Sequence, residues 1–208
     1  MKVIPFVYDA YDDLISNIYL LIDSKNQCVV IDPGCAYEGI VNYVKKNNLI
    51  PKAILLTHGH FDHMRGIDIF AKEFPVPLFV GFFDLDNLED PSLNCSENFE
   101  NGDVIIATPG IGLSEKDTID LLEEKIFILE TPFHTKGSIC FYLKDSKILF
   151  SGDTLFKRGI GRTDLKGGNP RDVYPTLKKL FALDGDVKVY PGHGPTTTIE
   201  NERMLNYL

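Results

Sequence analysis

The chain has 208 residues, 44% hydrophobic and 25% charged, with a formal net charge of −9; this composition excludes disordered and fibrous classes, and the length suits one sizeable domain over residues 1–208. The acidic balance, without any basic run, argues against a nucleic-acid partner, and no apolar stretch reaches the roughly 18 residues of a membrane span, so a small-molecule partner and no membrane contact are expected. The start "MKVIPFVYDAYDD" lacks the long apolar centre of a secretion signal, which makes the cytoplasm the default location.

The stretches "KVIPFVY", "NIYLLID" and "QCVVID" are short, rich in β-branched and aromatic residues, and separated by "DAYDD" and "SKN". They predict three strands joined by turns. "AYEGIVNYVKKNNL" spaces Ile40, Val41, Val44 and Leu49 as an amphipathic helix does. "KAILLTH", "MRGIDIFAKEF" and "VPLFV" follow as strand, helix and strand. From about Phe82 to Leu122 turn formers and acidic residues interrupt brief apolar runs, which predicts mostly loop and short elements.

Order returns with the strands "KIFILET", "SICFYLK" and "KILFSGD", the last two forming a hairpin around Asp145 and Ser146. A loop rich in Gly and charge, "TLFKRGIGRTDLKGGN", precedes the helix "PRDVYPTLKKLFAL", with Asn169 as cap and Pro170 in the first turn. "VKVYPGHG" is a strand ending in a tight turn, and "TIENERMLNYL" is a last helix. Strands and a helix, then strands and a helix again, fit sheets covered by helices on their outer faces. Of the cysteines Cys28, Cys35, Cys95 and Cys140, none forms a Cys-x-x-Cys pair; Cys28 and Cys140 sit in apolar runs, as buried inert thiols do.

Only five histidines occur, and three of them fall in "THGHFDH", residues 57–63. A His-x-His-x-x-His arrangement from five random histidines has a probability on the order of a few in a thousand, so chance is a poor explanation. His58, His60, His63, His134 and His193 all come just after a predicted strand, where a rigid sheet holds a loop while its side chains face a cleft. Imidazole nitrogen and carboxylate oxygen suit Zn²⁺ and, as alternatives, Fe and Mn. His58 and His60 can share one ion and Asp62 and His63 a second, with His134 and His193 adding nitrogens and Asp153 of "LFSGDTLF" a bridging carboxylate.

In this order along the chain, "THGHFDH", "TPFHTKGS", "SGDTLF" and "GHG" resemble the ligand motifs of the metallo-β-lactamase fold superfamily, and the early "IDPG" resembles that family's aspartate-bearing turn. The resemblance implies an α/β fold, an αββα sandwich of two mixed sheets with helices on the outer faces and two divalent metal ions at one edge. It implies His58, His60 and His134 at site one, Asp62, His63 and His193 at site two, Asp153 as the bridge, and Asp32 ordering the ligand loops through hydrogen bonds. Many true β-lactamases have cysteine at the position of Asp153 or lack the bridge, so the aspartate argues against antibiotic hydrolysis.

The stretch "GIGRTDLKGGNPRDVY" resembles the loop of hydrolases similar to glyoxalase II, hydroxyacylglutathione hydrolase, although the chain ends soon after His193, without that family's helical C-terminal domain. Phe133 and Lys136 depart from the Gly and Pro usual in "TPGHTPGS", and Phe restricts the backbone where Gly does not. The expected reaction is thioester hydrolysis: two ions share a hydroxide nucleophile at neutral pH, Asp62 orients it and takes its proton, and a thiolate leaves without a strong acid. Arg158 and Arg162 are candidate contacts to a substrate carboxylate, with an Arg162–Asp164 loop tie as the competing role. Tyr174 is expected to pack. Two alternatives stand beside the hydrolase: a persulfide dioxygenase using one Fe at His58, His134 and Asp153, and a metal-stabilised binding module without catalysis, which the complete ligand set disfavours.

Overall fold

Alternate residues along the apolar strands face different neighbours, and this partition builds the architecture. The computed structural model describes residues 1–7, 16–34, 37–97 and 102–205; the turn expected at residues 9–13, Cys35 and the last three residues of the C-terminal helix lie outside them. The first sheet runs in the order β1 (Lys2–Val7), β2 (Asn17–Ile22), β3 (Gln27–Ile31), β4 (Ile50–Leu56), β5 (Leu78–Gly81) and β6 (Gly110–Leu113). Its first pairings are antiparallel and those from β3 to β6 parallel, so it is mixed.

The second sheet contains β7 (Thr118–Ile119), β8 (Ile126–Glu130), β9 (Ile139–Leu143) and β10 (Ile148–Gly152). A ribbon of β11 (Leu155–Phe156) and β12 (Gly159–Ile160) follows, and the chain then rejoins the sheet with β13 (Lys188–Pro191) and β14 (Thr197–Thr198). The order is β14-β13-β10-β9-β8-β7, with β10 and β13 parallel and the other neighbours antiparallel. β9 and β10 form the expected hairpin, with Leu143 opposite Ile148.

Tyr19, Leu21, Val29, Ile31, Ala53 and Leu55 of the first sheet meet Ile139, Phe141, Leu143, Ile148 and Phe150 of the second in one buried cluster between the sheets. The alternate residues of the first sheet, Ile18, Leu20, Val30, Ile54 and Leu56, pack instead on Ile40 and Val44 of α1 (Tyr37–Lys46) and on Met64 of the one-turn α2 (Phe61–Met64). Ile67 and Phe70 of α3 (Ile67–Glu73) complete that layer. On the far side, Cys140, Tyr142, Leu149 and Val189 pack on Leu177 and Leu180 of α4 (Val173–Leu180) and Ile199 of α5 (Ile199–Arg203). Period two along each strand sends successive side chains into different layers, and the result is the αββα sandwich with two mixed sheets.

Three local expectations are refined. The helix expected over "MRGIDIFAKEF" starts only at Ile67, as α3, while Met64 ends the one-turn α2 and the Gly66 N–H between them donates to the Pro33 carbonyl at 2.7 Å. Asn169 does cap, accepting the Arg171 N–H, but residues Pro170–Asp172 form a tighter 3₁₀ turn before α4 begins. Tyr174 is 57% exposed, so it does not pack; the buried face of α4 is Thr176, Leu177 and Leu180 instead. Cys28 and Cys140 are fully buried, as their apolar surroundings predict. Among the described residues no helix is long and apolar enough to cross a membrane.

Candidate metal centre

Four strand ends meet at one edge of the sandwich. β4 delivers His58, His60, Asp62 and His63; β8 leads to His134; β10 and β13 end just before Asp153 and His193. Cross-sheet hydrogen bonds lock this edge: Ile139 N–H donates to the Thr57 carbonyl at 2.9 Å, and Asn17 N–H to the Gly192 carbonyl at 2.6 Å. Gly152 is left-handed, with φ +49°, and a Cβ there would lie 2.3 Å from Thr57 Oγ1, so only glycine lets β10 approach β4 this closely.

Three triads, His58/His60/His134, His58/His63/Asp153 and Asp62/His63/His193, each bring ligand atoms within 4.8 Å of one another. Around His63, His193 and Asp153 the spacing is narrow in range. His63 Nε2 lies 3.4 Å from His193 Nε2, 3.5 Å from Asp62 Oδ2 and 3.4 Å from Asp153 Oδ1. His193 Nε2 lies 3.3 Å from Asp62 Oδ2, and Asp153 Oδ2 is 3.4 Å from both His134 Nε2 and His193 Nε2. Charge-assisted hydrogen bonds draw such atoms to about 2.7–2.9 Å, whereas two ligands each about 2.05 Å from a tetrahedral ion stand about 3.3 Å apart. The observed spacing matches that of coordination edges. His60 Nδ1 and His134 Nε2 are closer, at 2.9 Å. His58 Nε2, His60 Nε2 and Asp153 Oδ1 are buried with no hydrogen-bond partner. Orphaned buried groups of this kind cost about 1–3 kcal/mol each, and a divalent cation fits the donor set.

For His63 and His134, the nitrogen not facing the cluster is held from behind. His63 Nδ1 meets Asp32 Oδ2 at 2.9 Å and His134 Nδ1 meets the Arg162 carbonyl at 2.9 Å. Each acceptor keeps the proton on Nδ1 and leaves the Nε2 lone pair facing the cluster. Asp32 also accepts the Thr57 N–H and hydroxyl, both at 2.7 Å. Burial pushes His58 well below its ordinary pKa and His60 down to about 4, which keeps both neutral. Burial also acts downward on His63 and His193, but neighbouring carboxylates outweigh it, raising His63 and bringing His193 to about 9. Burial pushes Asp153 upward, yet His63 and His193 hold it well below the carboxylate range. Without a metal the carboxylates are thus ionised and paired with protonated His63 and His193 at neutral pH, and a divalent cation would take the place of those protons.

The cluster opens into a cleft of about 390 Å³, whose other walls are Phe61, Cys95, Phe156, Gly161, Arg162 and Leu165. A smaller hollow of about 210 Å³ beside Phe82, Phe83 and Leu113 contains none of the seven histidine and aspartate residues. Arg162 lines the cleft, but its Nε and Nη2 both donate to Asp164, each at 2.7 Å. Arg158 does not line the cleft; its backbone N–H donates to Glu202 Oε2 at 2.8 Å. Phe133 is fully buried and is not among the residues with positive φ, so the backbone before His134 needs no glycine.

Cys95 and Asp84 escaped sequence reasoning. Cys95 lies in a wall of the cleft, in a segment too irregular to place. Asp84 is buried three residues past β5, and its only sequence signal is that position after a strand, shared with every histidine. Burial raises its pKa, against hydrogen bonds from Thr135, Gly59 and Gly137 that lower it.

A family model described as the metallo-beta-lactamase superfamily matches residues 11–193. The chain is 38% identical over 193 residues to the probable metallo-hydrolase YqgX of Bacillus subtilis (strain 168), covering 92% of this chain and 90% of that protein. It is 35% identical over 196 residues to hydroxyacylglutathione hydrolase 1 of Vibrio vulnificus (strain YJ016), covering 94% of this chain and 68% of that one. Among solved structures, the BLEG-1 B3 metallo-beta-lactamase superposes with a TM-score of 0.90 at 32% identity, covering 98% of this chain and 97% of that one. TTHA1623 in a di-iron-bound form superposes with a TM-score of 0.82 at 32% identity, covering 98% of each chain.

Proposed function

The chain belongs to the metallo-beta-lactamase superfamily, and on that premise we propose that it is a two-ion hydrolase of thioesters of the hydroxyacylglutathione class. The observation that supports the two-ion reading is the pair of separate triads, His58/His60/His134 and Asp62/His63/His193, each with ligand atoms within 4.8 Å of one another and Asp153 3.4 Å from nitrogens of both. His58, His60 and His134 are assigned to one ion, Asp62, His63 and His193 to the other, and Asp153 to both. Zinc is the metal proposed first; iron is the alternative that TTHA1623, crystallised in a di-iron-bound form, supports.

Bound ions supply Lewis acidity and lower the pKa of a water from 15.7 to about 7. Asp62 orients the attacking water and accepts its proton. Phe61, Phe156 and Leu165 line the cleft and would flank the acyl group. As the C–S bond breaks, the sulfur departs as a thiolate, whose ordinary pKa of about 8.5 spares it a general acid. Arg162 is the proposed contact for a substrate carboxylate, once its fork turns from Asp164. The 35% identity to hydroxyacylglutathione hydrolase 1 supports the thioester class.

A second reading, hydrolysis of a β-lactam amide, is favoured by the close superposition on BLEG-1. It requires a proton for the departing nitrogen. Assaying S-lactoylglutathione, other acyl thioesters, lactones and a chromogenic cephalosporin with Zn²⁺, Fe²⁺ and Mn²⁺ separates these readings. The proposal expects the highest kcat/KM on a thioester. Preference for the cephalosporin, or oxygen uptake on glutathione persulfide by protein holding one iron per chain, overturns it.

A further inference from the structure

We propose that Asp84 is a positioning residue that secures the ion assigned to His58, His60 and His134 separately from the ion assigned to Asp62, His63 and His193. Asp84 is 1% exposed and uses both carboxylate oxygens. Oδ2 accepts the Gly59 N–H at 2.9 Å and the Thr135 hydroxyl at 2.6 Å, and Oδ1 accepts the Gly137 N–H at 2.7 Å. Gly59 lies between His58 and His60, and Thr135 follows His134. One side chain at the end of β5 thus clamps the loop after β4 to the loop after β8, which come from different sheets. Their separation sets the distance between His134 and its two partner histidines.

The polarity of this clamp leaves no freedom. Ser138 Oγ accepts the Thr135 N–H at 3.1 Å and contacts the Thr135 hydroxyl at 2.7 Å, so its own proton goes to Thr135 and the Thr135 proton to Asp84. None of the Asp84 hydrogen bonds reaches Asp62, His63 or His193. Asp32 reaches that second group through His63 Nδ1, and it also reaches the first through Thr57, which precedes His58 and whose Oγ1 lies 3.2 Å from His58 Nδ1. Asp84 therefore braces the first group alone, whereas Asp32 touches both. Asparagine at position 84 has one acceptor in place of two, so its NH₂ must face either Gly137 N–H or the Gly59 and Thr135 donors, donor against donor.

The proposal rests on the two-ion reading above. It is tested by measuring Zn²⁺ retained per chain against graded chelator for the wild type, Asp84→Asn, Thr135→Val and Thr135→Ser. Anomalous scattering from Asp84→Asn crystals grown at limiting Zn²⁺ then locates the ion that remains. Losing a bracing partner lowers metal affinity about 10- to 100-fold. Asp84→Asn is expected to lose that much at His58/His60/His134 alone, keeping the ion at Asp62/His63/His193; Thr135→Val moves the same way, and Thr135→Ser, which retains the hydroxyl, restores wild-type retention. If Asp84→Asn fails to fold, the Thr135 pair carries the test. Equal weakening of both ions, or wild-type retention in Asp84→Asn and Thr135→Val, overturns this proposal alone. Fewer than two ions in the wild type overturns the two-ion reading and this proposal with it.

Discussion

Replacing Asp32 by Asn exchanges one oxygen for an NH₂ at a point where polarity controls His63, a proposed metal ligand. Asp32 sits at φ +49°, a conformation that Asn tolerates as well as Asp, so the backbone cost does not change. The remaining oxygen must stay on the Thr57 N–H, now 2.7 Å from Oδ1, because that donor has no other acceptor there. The NH₂ then occupies the place of Oδ2, 2.9 Å from His63 Nδ1, and donates to it. His63 responds by accepting on Nδ1 and carrying its proton on Nε2, the nitrogen that faces Asp62, Asp153 and His193. The lone pair that binds an ion is lost, while the Thr57 hydroxyl turns to accept. Changes of this kind weaken metal binding about 10- to 100-fold, equivalent to about 1.4–2.8 kcal/mol. Chelator competition reads the affinity, with thermal unfolding as the check on the fold. Asp32→Asn protein that folds and holds both ions as tightly as the wild type refutes the reasoning.

Gly192→Ala places a Cβ 2.2 Å from Asp153 Oδ1 and 2.6 Å from His63 Cε1, so it is expected to displace the carboxylate proposed as the bridge. Overpacking of this kind costs about 1–3 kcal/mol, and the variant should lose affinity for both ions in chelator competition and unfold at lower denaturant. Phe141→Ala empties a fully buried position between the sheets, which costs about 3–5 kcal/mol. For a domain of this size the midpoint falls about 2–4 °C per kcal/mol, giving a drop of roughly 6–20 °C; a shift of a degree or two contradicts the assignment of that layer. Arg162→Ala should raise KM for thioesters that carry a carboxylate and leave kcat unchanged; steady-state kinetics on charged and uncharged substrates show whether the guanidinium leaves Asp164 to bind them.

Most of the sandwich was legible because its strands are buried on both faces or alternate between two layers, as in "NIYLLI" and "ICFYL". β6 was not, since "GIGL" has two glycines in four residues and offers no period. Cβ atoms at Gly110 and Gly112 would come 2.7 Å from Leu88 Cδ1 and 2.9 Å from Leu85 Cδ1, so the glycines that hide the strand let these leucines pack close against it. The ligand positions stood out because histidine is scarce and each one follows a strand. Asp84 did not, because it lies among Asp86, Glu89 and Asp90 in a segment where one carboxylate looks like the next. Only the fold brings Gly59 and Thr135 to it. Arg158 misleads for the opposite reason: an arginine in a glycine-rich loop suggests a substrate contact, while the backbone at φ 62° turns that residue toward α5 through Glu202.

The central claim is that seven side chains from four strand ends hold two ions for hydrolysis. Metal content per chain, measured by mass spectrometry on protein purified without added metal and assayed on S-lactoylglutathione in the same sample, tests it most directly. Two divalent ions per chain, with turnover that disappears with chelator and returns with Zn²⁺, is the predicted result. A single ion per chain at full thioesterase activity, or two ions with no turnover of any thioester, contradicts it.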